Sequence, residues 1–170
     1  MKKILFLLAL LLLPLGVAEA QKIALVDMEY ILKKDPSYAV MNRQVEDLSK
    51  KWQAEVAGYE KKAEQAYQSY QSEAALLSAQ QKKQREESIV ALEKQAYELK
   101  RKYFGPEGEL FKKRESLMKP IQDRVWAAMK ELARRGGLQL IIDRSSSKIV
   151  YADPGLDISE AVVSTLGLDR

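Results

Sequence analysis

The sequence predicts an α+β protein that is mostly α: a long antiparallel helical hairpin, or tentacle, emanating from a small β body. Three observations predict it. From about Tyr38 to Arg135 almost nothing would stop a helix. The apolar runs suited to strands, Ile23–Asp27, Leu138–Asp143 and Ile149–Ala152, lie at the two ends of that stretch. The polar run Ser78–Ser88 divides the helical middle and offers it a place to reverse. An arm that leaves a small sheet and returns to it buries little in a core of its own. Such a layout suits reaching and holding better than chemistry.

The first twenty residues stand apart from this fold. Met1-Lys2-Lys3, the apolar Ile4–Val17 and the small Ala18-Glu19-Ala20 follow each other as the charged, apolar and cleavage regions of an export signal. The apolar run is shorter than the about twenty residues a membrane span requires. Residues 1–20 are therefore read as a signal peptide cleaved after Ala20, and Gln21 as the start of a mature exported chain. No Cys follows the cleavage site to carry a lipid. Removing Lys2, Lys3 and Glu19 lowers the net charge from +4 to +3.

The remaining residues, 21–170, are enough for one domain. Ile23-Ala24-Leu25-Val26 is a short apolar run suited to a buried strand. Met28–Lys34 forms a short helix that Asp35-Pro36-Ser37 interrupts, because proline disfavours a helical residue before it. The arm then starts at Pro36 or Ser37. Its outgoing apolar positions are Met41, Val45, Leu48, Trp52, Val56, Tyr59, Ala63, Ala66, Tyr70, Ala74 and Leu77, with a mean step of 3.6 residues. That is a helical seam, too far from 3.5 to supercoil strongly. Its large side chains are mostly Tyr, which packs while keeping its hydroxyl in water.

A single helix through the polar run would extend about 150 Å and leave its apolar stripe uncovered. A hairpin tip near 78–88 removes both difficulties. Ile89, Leu92, Ala96, Leu99 and Tyr103 then return along the outgoing helix. Phe104-Gly105-Pro106-Glu107-Gly108 breaks it, since Pro106 removes a helical hydrogen bond. Gly105, Pro106 and Gly108 are a candidate hinge, or a plain connector between two helices. Beyond them Leu110, Leu117, Ile121, Val125, Ala128 and Leu132 form a fuller stripe, widened by Phe111, Met118, Trp126 and Met129, that roots the arm in the body. Pro120 is expected to bend this helix slightly.

Arg134-Arg135-Gly136-Gly137 ends the helix with cations and glycines. Leu138–Asp143 and Lys148–Ala152 flank Arg144-Ser145-Ser146-Ser147 and predict two strands in a hairpin. Asp157-Ile158-Ser159-Glu160 has capping-box spacing, with Asp157 as cap of a last helix ending near Gly167. The body thus comprises residues 21–37 and 136–170 with the root at 110–135, and the arm about 38–109. Three strands in one chain leave sheet edges open, which invites pairing with further copies.

The absent residues exclude several chemistries. There is no Cys and no His, so thiol nucleophiles, Ser-His-Asp triads and the commonest zinc ligand are missing. Glu86-Glu87 are neighbours that do not share a helix face. No glycine-rich phosphate loop follows a strand. No enzyme activity, metal or cofactor is expected. The charges read first as a solvated helix surface. The basic tip Lys82, Lys83 and Arg85 offers a second reading, attraction to anionic lipid or to acidic polypeptide. Nucleic acid is not an expected partner, for want of any binding motif.

The order of these pieces resembles the Skp/OmpH family of periplasmic chaperones along the whole mature sequence. The matching pieces are Lys22-Ile23-Ala24-Leu25-Val26-Asp27, the long charged hairpin, Leu140-Ile141-Ile142-Asp143, the strand through Tyr151, and Asp157-Ile158-Ser159. The resemblance implies a periplasmic homotrimer whose strands close a small β-barrel. It implies an ATP-independent holdase that takes unfolded outer-membrane proteins between helical arms and prevents their aggregation, without cofactor. Tyr59, Tyr67, Tyr70 and Tyr97 are then candidate client contacts, and Val26, Leu140, Ile142 and Val150 the candidate oligomer core. Lipopolysaccharide is a further partner to consider. The Phe104–Gly108 break departs from the plainer arm of the enteric members. The alternative is an envelope scaffold or anionic-lipid-binding coiled-coil protein.

Overall fold

A computed structural model describes residues 21–169. The expected signal peptide, 1–20, lies outside the described residues. Strand β1 (Ile23–Val26) leads into helix α1 (Met28–Lys34), whose cap is Asp27: Oδ1 accepts from the Tyr30 amide at 2.9 Å. Asp35 caps the next helix in the same way, accepting from the Ser37 amide at 2.8 Å, with Pro36 at its first position. That helix, α2 (Pro36–Glu73), has 38 residues and runs about 57 Å. Helix α3 (Ala79–Phe104) returns along it, and α4 (Glu109–Gly136) continues to the body. Strand β2 (Leu140–Asp143), a 3₁₀ turn (Pro154–Leu156) and α5 (Ser159–Thr165) complete the chain.

The two strands are parallel, with Ile23 opposite Leu140 and Val26 opposite Asp143. Parallel neighbours require a crossover, and here the whole arm is that crossover. The other edge of β1 is bridged at Leu25 by Asp157, and the Ile158 amide donates to the Leu25 carbonyl at 2.9 Å. The outer edge of β2 has no partner strand among the described residues. The core lies where α1, α4 and α5 meet the sheet: Val26, Ile31, Val125, Ala128, Val162 and Val163. Burying a large aliphatic side chain stabilises by about 1.5–3 kcal/mol, and the largest fully buried ones, Val26, Ile31, Val125, Val162 and Val163, all lie in this core.

The seam of the arm follows the helical period. Every outgoing seam position from Met41 to Leu77, and every returning one from Ile89 to Tyr103, is buried or half-buried. Four expectations are corrected. The tip is not 78–88 but the turn Ala74–Ser78, because Ser78 and Gln81 form a reciprocal capping box that starts α3 earlier. Residues Ala79–Ser88 accordingly form the first turns of α3. Ile149–Ala152 is not a strand and makes no hairpin with β2. The reason is local: the Asp143 carboxylate accepts from Ser145 N and Oγ and from Ser146 Oγ, and the Ile149 amide turns back to the Ser147 carbonyl. The chain is diverted before it can fold back.

Phe111 and Trp126 do not widen the buried stripe of α4; both are exposed. Finally, Asp157 does not cap α5 through a capping box. It accepts from Ser159 N and Oγ, while Glu160 accepts from the Tyr30 hydroxyl instead. Pro120 sits inside α4 without ending it.

Candidate functional site

The arm presents aromatic side chains on a polar surface, and their settings differ. Trp52 and Tyr103 stack face to face, with centroids 4.5 Å apart and planes within 1°. The Tyr103 hydroxyl donates to Glu55 at 3.0 Å; burial first, and then that carboxylate, push its ionisation up. Tyr70 donates to Glu86 at 2.5 Å across the hairpin, and this bond likewise raises its ionisation. Tyr59 is half-buried beneath the Lys62 ammonium. Only Tyr67 and Tyr97 among the four candidates are well exposed, at 49% and 66%. They wall one shallow groove between α2 and α3, over a floor of Ala63 and Ala96. The candidate tyrosines therefore divide into two seam residues and two surface residues.

The basic tip residues fall on the first turns of α3, beside the tip and not in it. Lys83 pairs with Glu87 at 3.9 Å and Arg85 with Glu73 at 3.3 Å, while Lys82 is half-buried. The tip itself is apolar, with Leu76 87% exposed. No helix of the described residues is long and apolar enough to cross a membrane.

The candidate hinge is a defined turn. Gly105 and Gly108 have extended backbone, and Glu107 between them takes a left-handed φ of 56°. A Cβ at Gly105 would lie 2.4 Å from the Arg101 carbonyl oxygen, and one at Gly108 2.7 Å from that of Tyr103. Lys102 and Glu109 pair across the turn at 3.5 Å.

At the body, Val26 is buried within its own chain, whereas Leu140 is 49% exposed and Val150 and Tyr151 stand in solvent; Ile142 is half-buried. Leu140 and Ile142 belong to the open-edged β2, whereas Val150 and Tyr151 lie beside Leu25 and Asp157, on the β1 side of the sheet. Two polar networks that the sequence did not reveal hold the frame. Asp35, buried at the α1–α2 junction, receives Arg124 of α4 at 2.6 Å. Arg144 joins Asp27 and Asp157 at 3.5 and 3.0 Å. Partial burial alone would raise the Asp143 and Asp157 carboxyls. Hydrogen bonds from Ser145, Ser146 and Met28 to the first, and from Ser159 with the charge of Arg144 to the second, outweigh it and hold both below the usual carboxylate range. Neither network follows from spacing, since Asp35 and Arg124 are 89 residues apart and Asp27 and Arg144 are 117 apart.

No cluster of His, Cys, Asp and Glu able to hold a metal occurs among the described residues. Comparison with known proteins adds three findings. A family described as outer membrane protein (OmpH-like) matches residues 22–166. The chaperone protein Skp of Yersinia enterocolitica is 25% identical over 147 residues, covering 85% of each chain. A solved structure from Caulobacter crescentus, described as an outer membrane chaperone (OmpH-like), superposes with a TM-score of 0.69 at 11% identity. It covers 86% of this chain and 84% of that one, and shows the same fold. With residues 22–166 matched from the first strand to the last helix, the chain belongs to the outer membrane protein (OmpH-like) family.

Proposed function

We propose that this protein is an ATP-independent periplasmic holdase: a homotrimer that keeps unfolded outer-membrane proteins soluble between its arms. The observation that carries this reading is the surface of the hairpin. It leaves Tyr67, Tyr97, Val90 and Leu76 uncovered among mixed charges, and its groove is open to solvent rather than shaped to enclose a small substrate. Weak, spaced apolar contacts let an unfolded client rearrange while bound, and release needs no nucleotide. Family membership agrees with the expectation that the chain is not an enzyme.

Assembly follows from the open edge of β2. An exposed strand edge, here on the strand that carries the half-exposed Leu140, pairs with another copy unless it is covered, and closing strands from several protomers into a barrel removes all such edges. The count of three rests on the family resemblance. Export through residues 1–20 directs the chain to the periplasm. The engagement of Lys83 and Arg85 in ion pairs favours a polypeptide client over anionic lipid or lipopolysaccharide.

The test is the mass of the native particle alone and with a urea-unfolded barrel protein, against its binding to anionic liposomes. A trimer that takes up about one client and ignores liposomes supports the reading. Liposome binding without client uptake overturns it in favour of the envelope scaffold.

A further inference from the structure

Midway along the arm, α2 and α3 approach each other through two buried alanines, Ala63 and Ala96. Side chains this small leave a groove of about 400 Å³, open to solvent and walled by the rings of Tyr67 and Tyr97. Its rim carries Glu60, Glu64 and Glu93 against one cation, Lys100. The groove is thus locally anionic in a chain whose net charge is +4. Three other carboxylates of the arm are neutralised one turn away, Glu46 by Lys50, Glu87 by Lys83 and Glu98 by Lys94, and Glu55 and Glu86 are taken up by the hydroxyls of Tyr103 and Tyr70. Glu60, Glu64 and Glu93 take part in no ion pair among the described residues, and Glu64 accepts only a hydrogen bond from Gln68 at 3.3 Å.

We propose that this groove receives lysine or arginine side chains of an extended, unfolded polypeptide. The inference rests on the chaperone reading above and names the client chemistry of that site. The aliphatic stem of such a side chain lies on Ala63 and Ala96, and its cation reaches the carboxylate rim. Both tyrosine rings offer it the electron-rich face that attracts cations. A neutral aliphatic side chain gains the floor but not the rim, and an acidic one is repelled. From Glu60 to Tyr67 the helix rises about 10 Å, which matches about three residues of extended chain. One groove therefore seats one or two alternate side chains, a contact weak enough to release without energy input.

The experiment uses the full mature chain and a urea-unfolded barrel protein whose arginines have all been replaced by lysine, in two forms, with its lysines free or acetylated. Binding is compared for the native arm, for Glu60→Gln/Glu64→Gln/Glu93→Gln, and for the charge-matched Glu46→Gln/Glu87→Gln/Glu98→Gln. The groove variant is expected to lose roughly fivefold to tenfold in affinity for the free-lysine client, the loss of two exposed ion pairs in the middle of their usual range of strength. It is expected to lose under twofold for the acetylated one, and the charge-matched variant to lose under twofold for either. Equal losses in both variants overturn the proposal, because only the long-range field then matters. No loss in the groove variant overturns it too, while client binding by the native arm leaves the chaperone reading standing. A native arm that binds neither client overturns both.

Discussion

Replacing Gly105, Pro106 and Gly108 together by Ala is expected to convert α3 and α4 into one continuous helix. Each Gly→Ala change favours helix by about 1 kcal/mol and Pro→Ala by about 3, a bias of about 5 kcal/mol. The present turn also becomes harder to hold. New Cβ atoms would sit 2.4 Å and 2.7 Å from backbone oxygens, closer than such atoms approach. Straightening relieves the left-handed Glu107 as well. Against this stands the exposed Lys102–Glu109 pair, worth at most about 1 kcal/mol. The straight form keeps a usable face, because Tyr103 and Ile121 are separated by about five helical turns and stay aligned. Circular dichroism is expected to show added helix, hydrogen exchange across 104–109 to slow, and the scattering envelope to change at the arm. Unchanged exchange and an unchanged envelope would refute the reasoning and leave the turn imposed by packing around Tyr103.

Three further outcomes follow from the body. Asp35→Ala removes the cap of α2 and the partner of Arg124, and is expected to destabilise by about 1–2 kcal/mol, a fall of roughly 3–8 °C in Tm; an unchanged Tm would dismiss the junction as a fastening. The Asp143 and Asp157 carboxyls are depressed in the folded chain. Their contribution is therefore present above about pH 4 and lost as pH falls through their folded values. Amides of Ser145 and Ser159 are expected to lose exchange protection there, and an Asp143→Asn chain with the same acid profile at Ser145 would contradict this. Val150→Asp alters a side chain exposed in the single chain, so the protomer is expected to keep its stability within about 0.5 kcal/mol while the proposed trimer dissociates. Light scattering that still reports a trimer would remove Val150 from the shared core. Ile141 is a poorer probe, because it packs on its own chain's core.

The seam was legible because helix periodicity is local: from Met41 to Leu77 each apolar step of three or four residues lands on the buried side of α2, which packs on α4 and α3. The tip was displaced because Ser78–Ser88 contains no Gly or Pro, and polarity alone marks no turn. The signal was present in Ser78 and Gln81, whose reciprocal bonds start a helix as firmly as a glycine ends one. The missing strand has another cause. Ile149–Tyr151 has strand-forming residues, but pairing depends on a neighbour at the right edge, and Asp143 with its serines turns the chain away. Of the four candidate tyrosines, the spacing placed Tyr59 and Tyr70 in the seam. That Tyr67 and Tyr97 share one groove depends on the register of the hairpin, which the tip sets. Asp35–Arg124 and Glu55–Tyr103 join residues 89 and 48 positions apart, beyond the reach of any local pattern.

The central claim, that the arm holds unfolded clients, is tested most directly by shortening it. Deleting residues 60–96 and closing Tyr59 to Tyr97 with a short turn keeps the Trp52–Tyr103 stack and the whole body core. Light scattering of an unfolded barrel protein diluted from urea then measures the holding activity. The account predicts an assembled body that no longer suppresses aggregation, beside a full-length chain that does. A shortened protein that suppresses aggregation as well as the full chain would contradict it.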